Sequence, residues 1–81
     1  MPLIFTHRGY RFFFFSNEGN PREPVHVHIR KGTQIAKFWL EPFVQLAESY
    51  GFSSPELNKL AEIVENRKKD IKEAWNEHFT S

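Results

Sequence analysis

The sequence predicts an α+β fold in which a three-stranded antiparallel β-sheet is followed by two helices packed on one face of the sheet. Two observations predict it. Between residues 10 and 40, β-favouring segments alternate apolar and polar side chains with the period of two typical of half-buried strands. After Glu41 the apolar residues recur at the helical period of 3.6. Because the sheet and the helices each bury one face, we expect two packed layers.

Length and composition indicate a single domain spanning residues 1–81. Of the 81 residues, 40% are hydrophobic and 16% are aromatic, so large rings must supply much of the core volume. The absence of cysteine excludes disulfides, zinc–thiolate sites and thiol nucleophiles. No apolar run reaches membrane-spanning length, and the first residues lack the pattern of a signal peptide. We therefore expect a cytoplasmic protein without membrane contact.

The net charge of +1 conceals an asymmetry between the two halves of the chain. Residues 1–40 carry six Lys/Arg and two acidic residues, which gives +4. Residues 41–81 carry five Lys/Arg and eight acidic residues, which gives −3. A basic half rich in rings suits an anionic partner. The preference of Glu and Lys for helices explains the split equally well.

The N-terminal half is predicted to supply the strands. Residues 2–6 form either a short edge strand or the lead-in to the first full strand, which spans residues 10–16 and is apolar on both faces. Residues 17–24 are predicted to form a mobile loop, because Gly, Asn and Pro disfavour ladder pairing. After the central strand, residues 31–33 form a turn and residues 34–40 form the third strand.

The central strand, residues 25–30, alternates strictly between apolar and polar side chains. The side chains expected to face the helices are Val25, Val27 and Ile29. Those expected on the uncovered face are His26, His28 and Arg30. The neighbouring strands add Lys37 and Trp39 to this face, together with either Phe13 and Phe15 or Phe12 and Phe14.

The C-terminal half is predicted to form the two helices. The first spans residues 42–50, and Gly51 is its stop signal. Its apolar face consists of Phe43, Leu46, Ala47 and Tyr50. Ser53 and Glu56 are spaced as a capping box, which begins a second, long helix that runs through residue 79.

The uncovered face is the candidate functional surface, since its mixture of rings and cations is typical of a binding platform. Single-stranded RNA is held by bases stacked on rings while Arg and Lys follow the phosphates. A protein partner would cover the same apolar surface. The alternative is that the rings belong to the core or to a homodimer interface. The candidate binding residues are Tyr10, Arg11, Glu23, His26, His28, Arg30, Lys37 and Trp39.

His26 and His28 are also a candidate metal site. Two residues apart on a strand, they share a face with Cα atoms about 6.5–7 Å apart. Two neutral imidazoles can converge on zinc or another divalent metal. The neighbouring sequence offers no third ligand, and the candidates that the fold would have to bring in are His7, His78 and Glu23. Arg30 on the same face opposes a cation, so we expect no cofactor and keep the metal as an alternative.

The same pair suggests a third hypothesis, a metal-independent ribonuclease or phosphodiesterase. Two imidazoles that titrate near neutrality can act as general acid and general base, and Arg30 would stabilise negative charge on the reacting phosphate. The residues assigned to catalysis are His26, His28 and Arg30. Two histidines alone are also compatible with a solvated sheet surface.

Five segments, residues 9–17, 22–29, 36–42, 50–53 and 74–79, resemble a known family. The family is the bacterial one catalogued as domain of unknown function 4160. Its most specific feature here is the strand in which Pro24 precedes the His-x-His pair. Val25 stands where the family usually has a second proline, which should slightly free the entrance of the strand.

The resemblance implies a small prokaryotic protein with no assigned activity. Genes of this family often lie beside the gene of another small protein, which implies a two-gene module of toxin–antitoxin type. The natural ligand would then be the protein encoded nearby, or RNA, and we expect this chain to be the binding component. The habitual motif residues of the family correspond to Tyr10, Phe12, Glu23, Pro24, His26, His28 and Trp39.

Overall fold

A computed structural model describes residues 3–15 and 23–79 of the chain. Within these ranges, five antiparallel strands form one sheet in the order β1-β2-β3-β4-β5, and two helices follow. The elements are β1 (Leu3–His7), β2 (Tyr10–Phe13), β3 (His26–Lys31), β4 (Gln34–Trp39), β5 (Gln45–Tyr50), α1 (Ser54–Asn66) and α2 (Lys68–Phe79). The α+β class is confirmed, whereas the prediction of three strands is wrong. The loop predicted over residues 17–24 lies, except for its last two residues, outside the described ranges.

The first additional strand is β1, which lies at one edge of the sheet. It pairs with β2, with Thr6 opposite Arg11 and His7 opposite Tyr10. The sequence left an edge strand and a lead-in as alternatives for this segment, and the edge strand is the one that forms. The aromatic residues explain the pairing, since Phe5 stacks on Phe12 with ring centroids 4.3 Å apart.

The second additional strand, β5, replaces the helix predicted over residues 42–50. The spacing of Phe43, Leu46 and Tyr50 fits one face of a helix, but these side chains are exposed and pack on no core. A strand here pairs with the outer edge of β4, whose backbone groups would otherwise lack ladder partners. Gly51, predicted as a helix stop, ends β5 with φ +87° and accepts a hydrogen bond from Gln34 Nε2 at 2.9 Å.

Both observed helices come from the segment that was predicted to be one long helix. The capping box is confirmed, because the Ser53 backbone N–H donates to Glu56 Oε1 at 3.0 Å and the Glu56 N–H donates to Ser53 Oγ at 3.3 Å. The break lies at Arg67, whose φ of −105° and ψ of 15° depart from helical values. Within the described ranges, neither helix has the length and apolar character needed to cross a membrane.

The core lies between the helices and one face of the sheet. Val27 and Ile29 of β3 are fully buried there, as their alternation predicted. The helices contribute Leu60, Val64, Ile71 and Trp75. This packing fixes the orientation of the sheet, so that residues out of phase with Val27 and Ile29 are directed to the opposite face.

Candidate functional site

The face opposite the helices is built from cross-strand rows, in which directly paired residues share one side of the sheet. The first row consists of Phe13, His28, Lys37 and Glu48. The second row consists of Arg11, Arg30, Ile35 and Tyr50. The third row consists of His26, Trp39 and Gln45. We call this surface the open face. The open face contains Phe13, whereas Phe12 is in the core. Of the two pairs of phenylalanines that the sequence left as alternatives, the pair on the open face is therefore Phe13 and Phe15.

His26 lies on the open face but is not accessible, and the prediction that it projects into solvent is wrong. Its exposed fraction is 0%. The ring packs edge-on against Trp39 and Trp75, with centroids 5.3 and 5.0 Å away. Nδ1 lies 2.9 Å from the Pro24 carbonyl oxygen, which accepts its N–H, so this nitrogen carries a proton. The indoles of Trp39 and of Trp75 from α2 both contribute to this burial.

His28 has a different environment from its neighbour. It is half-buried and stacks on Phe13, with ring centroids 5.6 Å apart and an interplanar angle of 24°. Phe15 contacts the same imidazole edge-on at 4.4 Å. The ring centroids of His26 and His28 lie 5.2 Å apart, so the strand does place the two imidazoles side by side as predicted. Only one of the two, however, reaches the surface.

The catalytic and metal hypotheses both assumed two accessible imidazoles, and the geometry provides only one. Among the residues described, no three His, Asp or Glu side chains are grouped so that they could hold a metal ion. Each candidate third ligand is engaged or distant. Glu23 forms an ion pair with Lys37, His78 stacks on Phe14, and His7 is paired with Tyr10 in the β1–β2 hairpin.

Lys37 is the only cation of the first row, and its charge is already compensated. Its ammonium nitrogen lies 3.4 Å from Glu23 Oε1 and 4.4 Å from the centroid of the Trp39 ring. The side chain is largely buried by these contacts, with 17% of its surface exposed. The structure therefore brings together three predicted binding residues, but as a mutually satisfied cluster.

Tyr10 is the predicted site residue that the structure places elsewhere. Being in phase with Phe12, it faces the helices and packs against the core. Its hydroxyl donates to Glu56 Oε2 at 3.3 Å, and burial followed by the Glu56 carboxylate raises the pKa of the Tyr10 phenol. In turn the Ser53 backbone N–H holds the pKa of the Glu56 carboxyl below its usual range. These contacts join the sheet to the N-terminus of α1.

An apolar groove of about 190 Å³ crosses the centre of the open face. Residues that line it include Phe13, Phe15, His28, Ile35, Lys37 and Tyr50. Phe15 and Ile35 are each 44% exposed and Tyr50 is 70% exposed. Sequence reasoning omitted Ile35 from the site and assigned Tyr50 to a helix. The signal for Ile35 was present, since it is in phase with Lys37 and Trp39 on β4.

Comparison with known proteins agrees with the sequence resemblance. No curated protein and no solved structure matches this chain. The profile of one family matches residues 9–76, and its description is Domain of unknown function (DUF4160). The match includes strands β2 to β5, α1 and most of α2, and therefore the groove and the buried histidine. Because it spans most of the 81 residues, the chain belongs to the DUF4160 family.

Proposed function

We propose that this protein is the binding component of a two-gene module of toxin–antitoxin type, and that the apolar groove of the open face binds the protein encoded by the neighbouring gene. The observation that carries the proposal is the exposure of Phe15, Ile35 and Tyr50 around one groove. Large apolar side chains that are grouped on one surface, rather than scattered, are typical of protein interaction sites.

The groove has the layout of a protein interface. Its floor is formed by buried side chains, among them Phe13 with 5% exposure, and its rim carries Lys37 and Glu48. An apolar centre with a polar rim is the usual arrangement of protein–protein contacts. Glu48, the direct cross-strand partner of Lys37, is exposed, so the rim offers a carboxylate for pairing with a cationic side chain of the partner.

The same contacts favour a protein over RNA as the ligand of the groove. Base stacking needs rings with a free face, but Phe13 is buried and stacked on His28, and Phe15 packs edge-on against both of these rings, so Tyr50 is the ring of the groove with most of its surface accessible. Phosphate binding needs unpaired cations, but Lys37 is bound to Glu23 and Glu48 lies beside the groove. RNA bound in this groove would meet one occupied cation and one carboxylate.

Co-expression with the product of the adjacent gene tests the proposal. Ile35→Glu places a charge on the apolar rim, and we expect it to abolish co-elution of the two proteins in size-exclusion chromatography. Phe43→Glu is the matched control, because Phe43 is 59% exposed and does not line the groove. The control variant should bind like the wild type, and both variants should keep the circular dichroism spectrum of the wild type.

Four outcomes would contradict the proposal. The first is the absence of a complex with the wild type, and the second is a complex that survives Ile35→Glu. The third is a wild-type protein that is dimeric by light scattering and becomes monomeric on Ile35→Glu, which would make the groove a contact between two copies. The fourth is salt-dependent binding of single-stranded RNA, measured by fluorescence anisotropy, that is lost with Ile35→Glu, because the ligand of the groove would then be RNA.

A further inference from the structure

A second pocket lies on the open face, at the end of the sheet where the β1–β2 and β3–β4 turns meet. Its volume is about 300 Å³, and its lining includes Leu3, Arg11, Phe13 and Arg30. The two turns lie close together, because a Cβ atom added to Gly9 would lie 3.7 Å from Lys31 Cε. In the described part of the chain, no acidic side chain lines this pocket. It is distinct from the groove, with which it shares Phe13.

Arg11 and Arg30 are direct cross-strand partners in β2 and β3, and both are exposed. Their Cβ atoms are therefore about 4.5–5.5 Å apart on one face, a placement in which like charges repel each other. Within residues 3–15 and 23–79, neither guanidinium forms an ion pair with a carboxylate. An anion bound between the two guanidiniums would attract both of them and so offset their mutual repulsion.

The orientation of Arg30 is fixed by the turn that follows it. Its Nε donates to the Gly32 carbonyl oxygen at 3.2 Å, and the donors of its two terminal nitrogens are not used by this bond. Lys31 also lines this pocket, but its ammonium lies 4.6 Å from the centroid of the Tyr10 ring. Tyr10 faces the helices, so this charge is on the other side of the sheet. The pocket thus presents a pair of guanidiniums, the group that pairs best with planar or tetrahedral oxyanions.

We infer that Arg11 and Arg30 form a binding site for an oxyanion, a carboxylate or a phosphate group, that bridges the two guanidiniums. Leu3, which is 53% exposed, and Phe13 supply an apolar wall against which the carbon portion of such a ligand packs. The isolated protein contains the whole of this site. The inference therefore does not depend on whether the groove binds the protein encoded by the neighbouring gene.

NMR titration of the isolated protein tests the site with two probes, sodium phosphate and sodium acetate, each at constant ionic strength set by sodium chloride. We expect saturable shifts of the Nε–Hε signals of Arg11 and Arg30 and of the Gly32 amide. Saturation with phosphate alone, with acetate alone or with both supports the site and identifies the oxyanion. Arg11→Gln should raise the concentration for half-saturation about tenfold, because one charged hydrogen-bond donor is lost.

Two further variants make the test specific. Arg11→Lys keeps the charge and removes the planar fork, so its affinity should fall between those of the wild type and Arg11→Gln. Lys69→Gln removes one exposed positive charge from α2 and should leave the titration unchanged. The inference is overturned if the shifts do not saturate with either probe, or if Arg11→Gln titrates like the wild type.

Discussion

The indole of Trp75 covers the imidazole of His26, with ring centroids 5.0 Å apart and an interplanar angle of 60°. The contact joins the last turns of α2 to the first residue of β3, across a sequence separation that no local pattern reveals. It makes His26 part of the structure of the sheet end, beside the groove rather than in it. The imidazole that lines the groove is that of His28.

His26→Ala should lower the free energy of unfolding by about 2–4 kcal/mol, since it removes a buried ring and the donor to the Pro24 carbonyl. Urea denaturation followed by tryptophan fluorescence measures this change. His7→Ala, a substitution at a partly exposed position in β1, is the control and should cost much less. Equal losses for the two variants would show that His26 is not held as described.

Glu56→Gln should reduce the loss of stability in acid. The folded-state pKa of the Glu56 carboxyl is lowered, first by the Ser53 backbone N–H. Its contribution is therefore present above the unfolded-state pKa and is lost as the pH falls through the folded-state pKa. The wild type should lose stability more steeply than the variant below about pH 4.3. Urea midpoints across this range measure it, with exposed Glu62→Gln as the control that should keep the wild-type slope.

Gly51→Ala should destabilise the protein by about 2 kcal/mol, and Gly32→Ala by about 1 kcal/mol. Both glycines have positive φ, at +87° and +63°. The difference arises because a Cβ atom on Gly51 would lie 3.1 Å from Gln34 Cγ, whereas nothing lies within 4 Å of one on Gly32. Thermal melts of the two variants provide the comparison, and a larger loss for Gly32→Ala would contradict the described packing of β5.

Arg67→Ala should cost about 1 kcal/mol, because the guanidinium packs on an aromatic ring at the junction of the two helices. Its central carbon lies 3.9 Å from the centroid of Phe5, and its Nε donates to Asp70 Oδ2 at 2.9 Å. Chemical denaturation gives the loss, and Lys69→Ala, an exposed position on α2, should be nearly neutral. If Arg67→Lys retains full stability, charge rather than ring packing is the important property.

The features that the sequence predicts correctly have local signals. The alternation through Val27, His28 and Ile29 fixes which face each side chain takes, and the spacing of Ser53 and Glu56 fixes the start of α1. These patterns depend only on residues that are close in sequence, so they can be recognised without knowledge of the fold.

The failures have non-local causes. Phe43, Leu46 and Tyr50 satisfy helical spacing, and the competing requirement, a partner for the outer edge of β4, is visible only once the sheet is built. His26 alternates as an outward residue should, but the indole of Trp75, far along the chain, packs on its ring. Two side chains on one face of a strand can therefore differ completely in accessibility.

The strand order, which is the same as the order along the chain, has a consequence for folding kinetics. Each pairing joins consecutive strands, and three of the four connections are short, so the sheet can form from successive hairpins with little loop-closure entropy. The docking of α1 and α2 joins distant segments, as between Tyr10 and Glu56, 46 residues apart. The contacts between the helices and the sheet therefore cost more loop-closure entropy than the pairings between consecutive strands.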